Sequence, residues 1–185
     1  MAARKQTDPF ENVHAATLTH LRHHSCGCYP FFDGSLLGVI AGAARAKRIL
    51  ELGTALGYTS LWFAHGAPDA HIDTIEFDPE HVAIARDNHA KAGFAKRITV
   101  HQGEFTAILP ALKPGYDVAF FDGHAPTLDD LTHLRRLLRD GGVLITTNLD
   151  LGGQSSKYRQ DLLDPKRWLS NFEAEDGRTA VSIKL

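Results

Sequence analysis

The sequence has 185 residues, a length typical of one domain, and its hydrophobic and charged fractions of 43% and 23% suit a globular chain. The formal net charge of −2 argues against nucleic acid as a partner. No apolar run approaches the roughly 18 residues of a membrane span, and the N-terminus lacks an apolar signal segment. We therefore expect a cytoplasmic protein without membrane contact.

Residues 1–45 precede the first predicted strand and differ from the rest of the chain. One or two helices are predicted here, with a loop at YPFFDGS, residues 29–35. We predict a single domain over residues 1–185, in which residues 1–45 form a helical lid and residues 46–185 form an α/β core.

Two cysteines, Cys26 and Cys28, lie within this N-terminal segment. Their closeness in sequence disfavours a disulfide between them on geometric grounds. His23 and His24 are adjacent, so a metal site is conceivable, but four ligands within six residues match no zinc pattern. We therefore interpret both cysteines as free thiols near a helix end.

Apolar runs alternate with helical segments from residue 48 onward. Strands are predicted at RILELG, HIDTIEF, RITVHQG, YDVAFFDG and VLITTNLD, which begin at residues 48, 71, 97, 116 and 143. Helices are predicted at TSLWFAHGA, PEHVAIARDNHAKAGF, TAILPALK and TLDDLTHLRRLLRDGG, which begin at residues 59, 79, 106 and 127. The last helix is expected to end at Gly141–Gly142, with Leu138 on its apolar face.

The C-terminal segment RWLSNFEAEDGRTAVSIKL predicts the end of a helix and then a hairpin that turns at Asp176–Gly177. Strands that are apolar on both faces and alternate with helices are typical of a parallel sheet covered on both sides. We predict a doubly wound α/β fold. Its sheet is expected to have seven mostly parallel strands, with an antiparallel strand from the C-terminal hairpin.

The turn after the first strand has features of a ligand site. Gly53 and Gly57 allow close approach of the backbone, and the helix that starts at about Thr59 turns its free N–H groups toward the turn. Glu76 ends the second strand, twenty-three residues after Gly53. An acidic residue at about this distance accepts hydrogen bonds from ribose hydroxyls, so a nucleoside is predicted.

The details of the turn indicate which nucleoside. The segment GTALG at residues 53–57 lacks the middle glycine of the dinucleotide fingerprint, which disfavours a pyrophosphate. Glu51 would repel phosphate and attract an ammonium group. A ligand with a ribose, an amino-acid tail and no phosphate fits these residues, and S-adenosylmethionine (SAM) is such a ligand.

Five segments together resemble a known family. LELGTALGYTS, TIEFDPEHVAIARDN, VHQGEFTAILPAL, YDVAFFDG and LRDGGVLITTN resemble the class I SAM-dependent O-methyltransferases, and are most similar to the catechol and caffeoyl-CoA O-methyltransferase group. The resemblance covers roughly residues 30–150. It implies a Rossmann-like methyltransferase fold, O-methylation of a small-molecule hydroxyl, and a homodimer as a further expectation.

The resemblance also implies cofactor contacts. The methionine end would meet Glu51, Thr59, Tyr58 and the glycine turn, Glu76 would hold the ribose, and Asp122 would lie beneath the sulfonium. Phe77 and the segment at residues 103–105 would frame the adenine. The full set of implied cofactor residues is Glu51, Gly53, Thr54, Ala55, Gly57, Tyr58, Thr59, Glu76, Phe77, Gly103, Glu104, Phe105 and Asp122.

The family's metal triad is incomplete here. The resemblance implies Mg²⁺ on an Asp after the fourth strand and an Asp-Asn pair after the fifth, and this chain has Asp122 and then Thr147–Asn148. Asp122 and Asn148 are therefore candidate metal ligands in a doubtful site. The family's lysine base is also missing from DGHAPT, where His124 is a candidate general base.

The acceptor pocket is expected over the sulfonium. Its predicted walls are Tyr29, Phe31 and Phe32, together with the segments DGHAPT and NLDLGGQSSKY, which favour a flat or apolar substrate. Three alternatives to an O-methyltransferase stay open at this point. They are a tRNA nucleobase methyltransferase, a nicotinamide-dependent oxidoreductase, and a cofactor-binding protein without catalysis.

Overall fold

The computed structural model describes residues 7–24 and 26–185. The helices are α1 (Glu11–His24), α2 (Gly34–Ala43), α3 (Tyr58–Gly66), α4 (Pro79–Lys91), α5 (Phe105–Ile108), α6 (Leu128–Leu137) and α7 (Ser155–Leu162). The strands are β1 (Arg48–Leu52), β2 (His71–Glu76), β3 (Ile98–Gln102), β4 (Tyr116–Phe121), β5 (Leu138–Thr146), β6 (Trp168–Ala174) and β7 (Thr179–Lys184). Short 3₁₀ turns occupy Leu109–Ala111 and Glu175–Gly177.

The seven strands form one sheet in the order β3-β2-β1-β4-β5-β7-β6. The first five are parallel, and β7 runs antiparallel to both of its neighbours. This arrangement confirms the predicted doubly wound α/β fold with an antiparallel C-terminal hairpin strand. The strand order reverses between β1 and β4, so their carboxyl ends lie side by side at the switch point, where ligands bind in such sheets.

The sheet is covered on both faces because alternate residues of the central strands point to opposite sides. Ile49 packs with Phe63 and Phe120 beneath α2 and α3. Leu50 packs with Leu134 and other residues of α6 and α7 on the opposite face. The near-continuous apolar runs in the sequence are therefore strands buried on both sides.

Two helix starts agree closely with their sequence signals. Asp78 caps α4 by accepting a hydrogen bond from the amide of Glu80 (2.8 Å), and Pro79 occupies the first turn. Thr127 and Asp130 form a reciprocal capping box at the start of α6. α4 follows β2 after two residues and α6 follows β4 after six, so these caps fix where each helix begins after its strand.

Two boundary predictions are wrong. α6 ends at Leu137 instead of Gly141–Gly142, because the backbone of Leu138 is extended and pairs with Tyr116 as the first residue of β5. Its side chain packs in the core beside the sheet instead of on the helix face. The predicted helix end near Trp168 is also absent, since Trp168 begins β6 and pairs with Lys184.

The segment NLDLGGQSSKY, predicted as part of the acceptor-pocket wall, is only partly a loop. The structure places α7 from Ser155 onward, with Tyr158 fully buried and its hydroxyl 2.9 Å from the hydroxyl of Thr146. Tertiary packing of Tyr158 thus stabilises a short polar helix that has little apolar periodicity. The predicted N-terminal helices and intervening loop are confirmed as α1, α2 and the segment between them, whereas residues 1–6 and 25 of the predicted lid lie outside the described residues.

Within the part of the chain that the structure describes, no helix has both the length and the apolar character to cross a membrane.

The carboxyl ends of β1 and β4 approach each other as closely as a backbone allows. The amide of Asp122 donates to the carbonyl of Leu52 (2.8 Å), and Gly53 has a φ of +96°. A Cβ at Gly53 would collide with the carbonyl oxygen of Asp122. Only glycine therefore satisfies both the backbone conformation and the space at this position.

We expect Gly53→Ala to destabilise the fold by about 1–3 kcal/mol more than Gly93→Ala, as overpacking does. Gly93 is the matched control because its φ is also positive (+82°) but a Cβ there meets no atom within 4 Å. Urea denaturation of both variants measures the difference in unfolding free energy. Equal losses would show that the β1 and β4 tips do not constrain Gly53.

Candidate active site

The turn after β1 is joined directly to the end of β2. The amide of Ala55 donates a hydrogen bond to the Glu76 carboxylate (2.8 Å), and Ala55 is held in the left-handed region with a φ of +44°. Alanine is uncommon in this conformation, which is typical of residues that a site constrains. The glycine turn and Glu76, which lie far apart in sequence, therefore belong to one site.

Glu76 has unused hydrogen-bonding capacity. One carboxylate oxygen accepts from Ala55 and the other from the amide of Asp78 (3.0 Å), and the side chain is 12% exposed. A carboxylate has about four acceptor positions, so these two backbone bonds orient the group and leave further positions for a ligand. Vicinal hydroxyls such as those of ribose match a carboxylate oriented in this way.

A cavity of about 890 Å³ opens over these strand ends. Its size lies within the range of small-molecule sites. It is lined by most of the residues that the sequence singled out, namely Gly53, Thr54, Ala55, Tyr58, Thr59, Glu76, Phe77, Gly103, Glu104, Phe105, Asp122, His124 and Asn148. Two predicted cofactor residues, Glu51 and Gly57, are not part of the cavity wall.

Glu51 lies one layer beneath the wall and is fully buried. Its carboxyl oxygens accept hydrogen bonds from the hydroxyls of Thr59 (2.5 Å) and Thr74 (2.6 Å). Burial raises the pKa of Glu51 to about 8, although these two hydrogen bonds oppose the shift. Glu51 therefore does not line the cavity itself, but it holds Thr59, which does line it.

Gly57 also supports the site from below. It caps α3 with a φ of +91°, and a Cβ there would collide with the imidazole of His89. His89 Nε2 lies 2.8 Å from the hydroxyl of Ser60, and burial lowers the pKa of His89 to about 4, which keeps the ring neutral. This support was missed from the sequence, because only the packing of α4 against the turn brings His89 to Gly57.

Thr74 was missed for a related reason. It faces Glu51 across the parallel pairing of β1 and β2, and its hydroxyl also contacts the hydroxyl of Thr54 in the turn. Alternate residues of a β-strand face the same side, so Thr74 shares a face with Glu76. Thr74 could therefore have been found once the strand register was known.

The surroundings of Asp122 fit a divalent metal poorly. The Asp122 carboxylate accepts a hydrogen bond from the Thr147 hydroxyl (2.6 Å), and the Asn148 amide donates to the carbonyl of Gly123 (3.0 Å). Mg²⁺ requires oxygen ligands in near-octahedral positions, usually with carboxylate charge. Here one carboxylate is hydrogen-bonded to a hydroxyl that stands where a second carboxylate is expected. The donor set therefore does not match the predicted metal site of Asp122 and Asn148.

The surroundings of the Asp122 carboxyl shift its pKa. Burial raises its pKa to about 6, the hydrogen bond from Thr147 opposes this, and the nearby charge of Glu175 adds to it. A positively charged ligand in the cavity would favour the carboxylate form. The cavity floor is thus suited to a cation without a phosphate.

His124 lies at the cavity wall with one ring nitrogen free to accept a proton. Its Nδ1 lies 2.9 Å from the carbonyl oxygen of Ala125, which can only accept, so Nδ1 carries the hydrogen. Nε2 is then the unprotonated nitrogen of the neutral ring. The ring also packs against Phe105 and Phe121, at centroid distances of 5.6 and 5.4 Å, which fix its orientation.

Exposed aromatic residues also line the cavity. Tyr29 and Phe32 line it with 73% and 80% of their surfaces exposed, and Leu151 lies at the same opening. Phe31 also lines the cavity, although it is buried and packs edge-on against Phe120 at a ring-centroid distance of 5.5 Å. This part of the cavity wall is therefore apolar and exposed.

A methyltransferase domain family matches residues 50–148, which is more than half of the chain. The chain belongs to this methyltransferase family. The match begins within β1 and ends at Asn148, so it includes the glycine turn, Glu76, Asp122 and the end of β5.

This methyltransferase is similar to bacterial proteins named as catechol O-methyltransferases. It is 37% identical to a catechol O-methyltransferase of Mycobacterium tuberculosis over 159 residues, which cover 82% of this chain and 71% of the relative. It is 33% identical to a catechol O-methyltransferase of Niastella koreensis, of which the match spans 58%. The resemblance to this O-methyltransferase group is confirmed, and these matches do not support a nicotinamide oxidoreductase or a tRNA methyltransferase.

The fold of the methyltransferase agrees with solved structures. The O-methyltransferase TomG of Streptomyces achromogenes, solved in complex with SAM, superposes with a TM-score of 0.82 over 99% of this chain and 92% of TomG. The sequence identity is 23%, so this likeness establishes the fold alone.

We expect the Glu51 carboxyl to make the stability of the methyltransferase depend on pH. Its pKa rises from 4.5 when unfolded to about 8 when folded, so the folded state binds the extra proton between these values. The unfolding free energy of the wild type relative to Glu51→Gln should therefore fall as pH rises from 5 to 8, by up to about 1.4 kcal/mol per pH unit.

Denaturation at several pH values measures this difference. Glu173→Gln is the matched control, because Glu173 is exposed and its variant should follow the wild-type curve. Parallel curves for the wild type and Glu51→Gln would contradict the buried, proton-holding carboxyl.

Proposed function

We propose that this methyltransferase transfers a methyl group from SAM to the hydroxyl of a small aromatic acceptor. The observation that carries the proposal is the hydrogen bond between Ala55 and Glu76, which joins the glycine turn to a carboxylate with free acceptor positions. The named relatives are catechol O-methyltransferases, and TomG was solved with SAM, which supports the same cofactor and acceptor class.

The residues around the cavity fit SAM in charge and shape. Glu76 would accept the ribose hydroxyls, while Phe77 and the segment from Gly103 to Phe105 would border the adenine. Thr59 and the turn would border the amino-acid end, and Asp122 would face the positive sulfur. The close backbone approach at Gly53 leaves no room for a side chain between the tips of β1 and β4.

SAM supplies an electrophilic methyl group on a positively charged sulfur. The work of the protein is then to align the acceptor oxygen with that methyl group and to remove the hydroxyl proton. Alignment of two reactants contributes about 7–11 kcal/mol to such a step. The apolar wall formed by Tyr29, Phe32 and Leu151 would orient a flat ring over the cavity floor.

His124 is the proposed general base. Its Nδ1 hydrogen is held by Ala125, so Nε2 is available to take the acceptor proton. Because Thr147 stands where a carboxylate ligand is expected, no step of this mechanism uses a metal at Asp122. An oriented histidine at the cavity is expected of an enzyme, whereas a cofactor-binding protein without catalysis does not need one.

The proposal includes four further features. They are a small-molecule acceptor, a single methyltransferase domain in which residues 1–45 act as a lid, a homodimer, and a cytoplasmic location. The cavity wall contributed by the loop from Gly27 to Phe32 supports the lid. The other three rest on the composition of the chain and on its resemblance to the family.

We expect SAM-dependent methylation of a phenol or catechol, detected as S-adenosylhomocysteine (SAH) and methylated product by mass spectrometry. His124→Ala should lower kcat by about 10²–10⁴, because it removes the general base. His71→Ala is the matched control, since His71 is exposed at the opposite end of β2 and should leave kcat unchanged. The wild-type rate should be the same with and without added Mg²⁺.

The proposal fails if no hydroxyl of either class is methylated, or if activity appears only with NADH or with tRNA. Equal kcat values for His124→Ala and the wild type would exclude His124 as the base. A rate that rises strongly on addition of Mg²⁺ would instead support a metal at Asp122.

A further inference from the structure

Three histidines and one cysteine converge beside the cavity. His20, His24 and Cys26 lie at the end of α1 and just after it, and His81 lies in the first turn of α4. One ligand atom from each residue lies within 4.8 Å of all the others. It is the one such group of possible metal ligands that converges among residues 7–24 and 26–185.

Helical spacing brings the first two histidines of this cluster together. His20 and His24 are four residues apart on α1, so they share one helix face, and their rings stack at a centroid distance of 4.6 Å. His81 approaches the same face, with its Nε2 3.1 Å from Nε2 of His20. Cys26 completes the group two residues beyond His24.

The donor set and its dimensions suit a tetrahedral metal. Three imidazole nitrogens and one thiolate are ligands that zinc accepts in structural sites. From the usual zinc–ligand lengths, ligand atoms around a tetrahedral ion are about 3.3–3.6 Å apart, so the cluster needs to contract by about 1 Å. The separation between His20 and His81 already corresponds to this geometry.

Carboxylates stand behind the three imidazoles. Nδ1 of His81 lies 3.7 Å from Glu76, and Nδ1 of His20 lies 4.0 Å from Glu80. Nε2 of His24 lies 3.5 Å from Glu80 and 3.9 Å from Asp78. Metal-bound histidines usually have such carboxylate partners at their second nitrogen, which orient the rings and raise their basicity.

We propose that His20, His24, Cys26 and His81 bind one zinc ion that fastens the end of α1 to the start of α4. Four protein ligands close the coordination sphere, which is the pattern of a structural site. The ion would also anchor the chain just before Cys28 and Tyr29, which line the cavity, and would lie behind the carboxylate of Glu76. It would therefore hold the loop from Gly27 to Phe32 over the cavity.

Two metal-free arrangements compete with this proposal. The histidines could satisfy one another by hydrogen bonds alone, as His20 and His81 already do. The thiol of Cys26 also lies 2.6 Å from that of Cys28, so oxidation could join the two cysteines instead of leaving Cys26 as a ligand. Both cysteines are free in this structure.

The test uses the full chain purified without a histidine tag. Elemental analysis should find about one zinc per chain, and the zinc content should fall at least tenfold in His81→Ala and in Cys26→Ser. The matched controls are His23→Ala and Cys28→Ser, which change the neighbouring residues outside the cluster and should keep the zinc.

Replacement of zinc by Co²⁺ identifies the ligands directly. We expect intense visible bands of tetrahedral cobalt and a thiolate-to-cobalt band in the near ultraviolet. Cys26→Ser should abolish the thiolate band, while Cys28→Ser should preserve it. Retention of each variant's fold is checked by its circular dichroism spectrum.

The proposal is overturned if the wild-type chain holds no zinc and gives no tetrahedral cobalt spectrum. It is also overturned if thiol titration of the freshly purified wild type finds Cys26 and Cys28 oxidised to each other. Loss of the thiolate band in Cys28→Ser with its retention in Cys26→Ser would contradict the stated ligand set. None of these readouts depends on methyl transfer, so the zinc site and the proposed function can fail separately.

Discussion

The hydrogen bond from the Ala55 amide to the Glu76 carboxylate unites the site. It connects the turn after β1 to the end of β2, and it is possible only because Gly53 lets the turn pass directly over Asp122. The same contact orients Glu76, whose second oxygen is held by Asp78. The proposed ribose-binding role of Glu76, the position of Asp122 and the position of the cavity all depend on this junction.

Two buried carboxyls, at Glu51 and Asp122, give the region beneath the cavity its electrostatic character. Burial raises the pKa of both groups, so each gains from a nearby positive charge. The hydroxyls of Thr59 and Thr74 donate hydrogen bonds to Glu51, and the hydroxyl of Thr147 donates one to Asp122. A sheet end built this way favours a cationic, phosphate-free ligand, which agrees with the missing middle glycine of the dinucleotide fingerprint.

Local sequence signals predicted the helices, strands and turns whose positions depend on short-range effects. The start of α4 at Pro79, the strands buried on both faces and the turn at Gly53 follow from the preference of proline for a first helical turn, from the periodicity of apolar residues and from the backbone freedom of glycine. The boundary between α6 and β5 did not follow, because pairing of Leu138 with Tyr116 decides it. Likewise, α7 depends on burial of Tyr158.

The site was predictable to a similar degree. Residues that follow strand ends, such as Glu76, Asp122 and His124, could be placed at one edge from topology alone. The burial of Glu51 beneath the cavity wall could not be predicted in this way. It depends on the strand register, which sets Glu51 opposite Thr74. The convergence of His20 and His81 was likewise hidden, because these residues are sixty-one positions apart and meet only through packing of α1 on α4.

The most direct measurement of the central claim is a crystal structure of the chain in complex with SAH. The account predicts both ribose hydroxyls within hydrogen-bond distance of the Glu76 carboxylate, with the Ala55 amide still bound to that carboxylate and the sulfur above Asp122. A nucleoside bound elsewhere on the sheet, or a Glu76 side chain turned away from the ribose, would contradict it.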